Sequence, residues 1–210
     1  MKLRMRRVLQ LITLLLTWCC VPGVRADVFD HPLGTGNNVT AFSTLTTEVQ
    51  RQERVTGAFT QTKYLQILDR PLVTRGSFSL SRANFEWRIE SPFALSYQFA
   101  GQQLTRIADG AQQIVQPSAE PALYGFFSFF TSLFNLSQEQ LENAFYVFFL
   151  PGTDTWELGL IPIQPQLAKA VQRLHITGSG SRIVHVKLTE ASGDRTEMEF
   201  SYPDPQPPAP

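Results

Sequence analysis

Three histidines, His31, His175 and His185, and 18 acidic side chains are the residues that could move protons or hold a metal. A metal centre needs such groups at ligand spacing, and none of the histidines has that spacing with another His, a Cys or a carboxylate. His185 alternates in step with Ile183 and Lys187, which reads as an ordinary strand histidine. Glu197 and Glu199 share one face of a strand and read as solvated. There is no G-x-S-x-G elbow and no phosphate-binding glycine loop. The two cysteines, Cys19 and Cys20, adjoin inside an N-terminal apolar run, and Trp18 before Cys19 does not suit the small residue a lipidation site requires. These residue types argue against an enzyme, and no cofactor and no metal is expected.

The chemistry that stands out is apolar. The stretch "YGFFSFFTSLFNLS", Tyr124 to Ser137, holds five phenylalanines between Phe126 and Phe134 and no charge. On a helix, Phe126, Phe127, Phe129, Phe130, Leu133, Phe134 and Leu136 cover about half of the circumference. Ser128, Thr131, Ser132 and Asn135 fill the other half. Such a helix is too short and too polar on one side to span a bilayer, and it lacks the Lys and Arg of a helix lying on an anionic membrane. Two readings stand: the rings are core, or they line an apolar gap that accepts an apolar guest.

The elements that would position this helix read as follows. A loop, "DVFDHPLGTGNN", opens the folded part. A helix follows over about Thr40 to Arg54, with Phe42, Leu45, Val49 and Val55 near one side. Beyond Gly57 the period becomes two. Phe59 alternates with polar neighbours; so do Phe78 and Leu80, then Phe85, Trp87 and Ile89, then Leu95, Tyr97 and Phe99. After a short helix that Ser137 and Gln140 would cap, Trp156, Leu158 and Leu160 share a face. Val184, Val186 and Leu188 share another, as do Met198, Phe200 and Tyr202. One apolar and one wet face are the mark of antiparallel strands. Ten or eleven such strands in one sheet must curl into a cup. The first helix and the phenylalanine segment are available to cover it, over a hollow roomy enough for a guest.

The start, "MKLRMRRVLQLITLLLTWCCVPGVRA", has a basic head, a short apolar run and small residues at Val24 and Ala26, as in a cleavable secretory signal. Residues 1–26 are read as that signal, 27–202 as one domain, and the proline-rich end 203–210 as a disordered tail. Five of the 18 basic residues lie in the signal and none of the 18 acidic ones, so 13 basic and 18 acidic remain, a net of −5. A mildly acidic domain with scattered cations is a poor nucleic-acid binder.

The stretch "GAFTQTKYLQILDRPLVTRGSFSLSRANFEWRIESPF" resembles the opening of the LolA-type periplasmic lipoprotein carriers, through Phe59, Gln61, Gly76, Phe78, Trp87 and Pro92. "DTWELGLIP" and "RIVHVKLTEASGDRTEMEF" resemble the second half of that family, so the similarity runs from Thr40 to Tyr202. The resemblance implies a mainly β fold with some α: an incomplete, half-open antiparallel barrel with a helical lid. It implies a monomeric periplasmic shuttle that takes acylated lipoprotein or lipid cargo from an inner-membrane exporter to an outer-membrane acceptor. The expected acyl-chain and lid residues are Val49, Phe78, Leu80, Arg82, Phe85, Trp87, Tyr97, Phe99, Phe126, Phe127, Phe130 and Phe134. In the family an inward arginine latches the lid. Arg82 matches it by strand parity, but the stretch from Arg82 to Trp87 is one residue short, which would leave Arg82 at a hairpin tip. Carriage of a non-lipoprotein lipid, such as an unusual acyl or polyene product, and a lipid or stress sensor binding a partner through the sheet edge are the other functions considered.

Overall fold

The computed structural model describes residues 27–34, 37–135 and 138–203. The expected export signal with Cys19 and Cys20, Leu136, the expected Ser137 cap and residues 204–210 of the expected tail lie outside the described residues.

Eleven antiparallel strands form one sheet. They are β1 (Arg54–Tyr64), β2 (Leu72–Ser81), β3 (Asn84–Ser91), β4 (Leu95–Ala100), β5 (Gln103–Ala108), β6 (Ala111–Val115), β7 (Phe145–Pro151), β8 (Thr155–Pro162), β9 (Val171–Ser179), β10 (Arg182–Glu190) and β11 (Arg195–Ser201). Their order is β6-β5-β4-β3-β2-β1-β11-β10-β9-β8-β7, so two meanders join where β1 pairs β11. The edges, β6 and β7, do not pair with each other, and the sheet is an open one with helices over its apolar face. Because β6 and β7 are consecutive in the chain, their connection has to pass from one edge to the other. It does so as α2 (Pro121–Asn135) and α3 (Gln138–Ala144). The lid is the crossing that this strand order requires.

Helix α1 (Asn38–Gln50) precedes β1 and buries Phe42, Leu45, Thr46 and Val49. It is shorter than the sequence suggests, and Val55 belongs to β1. A short helix α4 (Pro165–Ala168), with proline at its first turn, links β8 to β9. The alternation read from sequence holds on most strands, with Phe78, Leu80, Phe85, Trp87, Trp156, Leu158, Leu160, Met198 and Phe200 all buried. It fails on β10. The register shifts between Ile183 and His185, as in a β-bulge, which brings Ile183 into the core with Val186 and leaves Val184 only half-buried. A single extra residue reverses strand parity, so Ile183 does not share a face with His185 and Lys187.

The opening segment is not a free loop. Val28–Asp30 forms a 3-10 turn capped by the Asp27 side chain, and Val28 is fully buried. Leu33 N–H donates to Val147 O, and Phe149 N–H to His31 O, which partly covers the β7 edge. An uncovered edge would be free to pair with another chain.

Candidate functional site

The inner face of the sheet is a continuous field of rings. Trp87 on β3 is its centre, 3% exposed and stacked on Phe59 of β1 with centroids 3.7 Å apart. Phe85 and Phe200 stand edge-on to it at 5.9 and 6.3 Å. Local backbone makes room for such rings. Gly57 lies opposite Phe78 and Gly178 opposite Trp156. A Cβ on Gly178 would come within 1.9 Å of the Trp156 ring, so that ring lies flat only over a residue without a side chain.

Helix α2 lays its own rings onto this field. Phe126 and Phe130 reach Trp87, each at 6.0 Å. Phe127 meets Tyr97 at 5.1 Å and Phe85 at 5.7 Å. Phe134 meets Phe78 and Phe200, both at 5.4 Å. Phe129 meets Phe145 on the opposite edge strand at 5.7 Å. Tilted and edge-on pairs at these separations add about 0.5–1.5 kcal/mol each to the burial itself. The α2 rings thus touch β4, β3, β2, β11 and β7, which spans the mouth of the cup.

The structure places Val49, Phe78, Leu80, Phe85, Trp87, Tyr97, Phe127, Phe130 and Phe134 in one buried cluster, with Phe99 and Phe126 partly buried against it. Arg82 stands apart. β2 ends at Ser81, and Arg82 lies exposed in the β2–β3 turn rather than inside the cup. The shortened stretch ends the strand before it can carry Arg82 inward. Its guanidinium still reaches a helix, donating to the Gln50 carbonyl at the end of α1 over 3.5 Å. Sequence reasoning left Phe59, Phe145 and Phe200 out of the site. Phe59 and Phe200 are register partners across the β1–β11 pairing, which joins the two ends of the chain and has no local sequence signal.

The expected hollow is not seen beneath α2 among the described residues. Beneath α2 the space is occupied by the helix's own rings. The gap at its C-terminal end, between Val49, Val55, Phe134, Ile183, Arg182 and Tyr202, has a volume of about 10 Å³, room for at most one water. Grooves of about 290 and 370 Å³ lie on the outer face. The larger is roofed by Phe29 and holds Glu157 paired with His175 at 2.6 Å, beside Arg173 and Lys187. The rings are bulky enough, and the cup curved enough, for the lid to fill the space that the sequence reading left for a guest.

Two polar ties hold α2 at its start. Arg106 on β5 forms an ion pair with Glu120, and Tyr124 Oη donates to Gln102 O. The hydrogen bond to Glu120, and a second to Tyr97, raise the Arg106 guanidinium above its already high ordinary value. From Phe126 onward ring meets ring. At the far end, Tyr202 donates to Ile183 O, the Arg182 guanidinium lies 5.0 Å over the Tyr202 ring, and burial pushes the Tyr202 phenol up. Among the described residues no group of three or more His, Cys, Asp or Glu could hold a metal ion, and no helix is long and apolar enough to cross a membrane.

No family model matches the chain, and none of the curated proteins does. Among solved structures it is similar to a LolA superfamily protein from Nitrosomonas europaea, at 10% identity and a TM-score of 0.41 over 81% of this chain and 95% of that one. It is similar to LprF from Mycobacterium bovis, at 11% identity and 0.39 over 86% and 98%. It is also similar to an outer membrane lipoprotein-sorting protein domain from Vibrio parahaemolyticus, at 8% identity and 0.40 over 83% and 92%. These likenesses are broad in coverage but low in identity and score, and they assign no function.

Proposed function

We propose that this protein is a periplasmic carrier of acyl chains, closed by its own lid. One observation carries the reading: the concave apolar face of an open sheet is filled by a helix tied through polar groups at its start and through rings beyond it. A guest enters by displacing those rings, and the lid is a built-in competitor of the cargo. Burial of a phenylalanine contributes about 1.5–3 kcal/mol, so the three buried rings of α2, Phe127, Phe130 and Phe134, hold it with roughly 5–9 kcal/mol. An acyl chain gains about 0.8 kcal/mol per buried methylene. A chain of about eight carbons then only balances the lid, whereas one of sixteen, or two chains together, exceeds it. The long-chain acyl group of a lipoprotein or another double-chained lipid is the cargo of the right size, passed from an inner-membrane exporter to an outer-membrane acceptor. Carriage of a biosynthetic polyene or other non-lipoprotein lipid would use the same mouth.

Native mass spectrometry of the protein purified from the periplasm of its own host tests this. An adduct of acyl mass supports carriage, and a clean apo mass from a periplasm rich in acylated cargo contradicts it. Titration in solution with fatty acids of increasing length should show binding that begins only above about eight carbons. Equal affinity for short and long chains would remove the competitor mechanism.

A further inference from the structure

The two ends of the sheet are unlike. At one end the turns between strands contain Arg82 and Ala83, Gly101 and Gln102, Gly152 to Asp154, and Gly180 and Ser181, all small or polar. The other end carries the turns β1–β2, β3–β4, β5–β6 and β10–β11 and the β8–β9 link. Of the eight exposed large hydrophobic residues among those described, five are here: Ile67, Leu68, Leu72, Phe93 and Ile163. Ile67 is 89% exposed and Phe93 79%. A patch gathered on one end calls for an explanation that scattered exposed residues do not.

The β1–β2 tip is held firmly. Leu68 N–H donates to Leu65 O within the β1–β2 turn. Gln66 N–H donates to the Asp194 carboxylate, and Gln66 Nε2 donates to Ser192 O, which braces this turn against the β10–β11 turn. β2 runs three residues beyond its last pairing with β3, so the Ile67 tip stands further out than the Phe93 tip. Ile89 and Leu95, the last cross-strand pair before Phe93, are partly buried against the ring cluster that meets α2. Apolar side chains therefore run from the Phe93 turn to the ring cluster beneath the lid. Charges in the connecting loops are few and mixed: Asp69, Arg70, Asp109, Lys169 and Asp194.

We infer that this end docks on a lipid bilayer, with Ile67 and Phe93 entering the acyl layer. Two apolar protrusions at different heights, one of them braced, would need two matched pockets on a protein, but an acyl layer admits both without shape complementarity. The near-balanced charge makes the attachment hydrophobic rather than electrostatic. The surface is distinct from the carrier mouth, although it would place that mouth where acyl chains reside.

The test is co-sedimentation of the exported chain with vesicles of phosphatidylcholine alone and of phosphatidylcholine mixed with phosphatidylglycerol. The expected result is binding to both, insensitive to salt. Ile67→Ser and Phe93→Ser should each weaken it about tenfold or more, since burying such a side chain contributes at least about a tenfold factor. Ile114→Ser, exposed on the β6 edge, is the control and should bind as the parent does. Both test side chains are exposed, so thermal midpoints should not move. Failure of the parent to bind, variants that bind as well as it does, or binding confined to anionic vesicles and abolished by salt would each overturn the inference. Fatty-acid titration of the same variants in solution separates the two proposals: acyl binding should survive the loss of vesicle binding.

Discussion

Phe134 sits where the lid, two strands and the crevice at the end of α2 meet. Phe134→Ser removes part of what holds the lid and leaves the sheet intact. If the lid competes with the cargo, this variant should bind a long-chain fatty acid more tightly than the parent, by about tenfold from the burial lost. Weaker binding with unchanged lid opening would contradict the competitor role. Arg82 makes a long, exposed hydrogen bond, so Arg82→Ala should cost under about 1 kcal/mol in denaturant unfolding; a larger loss would restore a latch. His185 gives a pH dependence with a definite sign. Burial lowers its pKa below 6.5, opposed by the charges of Glu197 and Glu199 on β11 and reinforced by His175 on β9 and by Lys187. The unfolded chain therefore takes up more protons than the folded one between the folded value and 6.5. The stability from a neutral His185 is complete above about pH 6.5 and falls as the pH drops through the folded value. His185→Gln should flatten that part of the stability profile. At this scale the strand residues were legible, because each inward ring alternates with a polar neighbour. Arg82 was not, because whether it points inward depends on where one strand stops.

At the scale of elements, α2 and the sheet should differ in local stability. The helix packs on the sheet through its rings, with polar ties at its start, whereas each interior strand is hydrogen-bonded on both sides. Hydrogen exchange should therefore show α2 amides from Phe126 on exchanging well before those of β1, β2, β10 and β11. Equal protection would mean that lid and sheet open only together. The flat seat of Trp156 over Gly178 yields a further expectation: Gly178→Ala should destabilise the protein by about 1–3 kcal/mol, as overpacking does. The helical period of α2 and the twofold period of the strands are local patterns, so both elements were readable from sequence. The β10 bulge, the clamp of Phe29 over Gly159 and the short α4 were not. Each depends on a partner far along the chain or on a single inserted residue.

For the whole molecule, the strand order explains why a lid exists. Eleven strands about 4.8 Å apart make an arc of about 48 Å, and a 15-residue helix rises only about 22 Å. A sheet of that width curls, and α2 touches both Tyr97 on β4 and Phe145 on β7 as it crosses the inside of the curve. The cup was foreseeable from strand number and alternation; its filling was not, because hydrophobic pattern does not tell whether rings leave a gap or close it. The central claim is that cargo replaces α2 on the inner face. Spin labels on Ser128 of α2 and Glu199 on the outer face of β11, placed as cysteines in a chain whose native cysteines lie in residues 1–26, read that replacement as a distance. Addition of a long-chain fatty acid should lengthen and broaden the distribution by several ångströms, as in a hinged lid opening. Stoichiometric acyl binding with an unchanged distribution would contradict it.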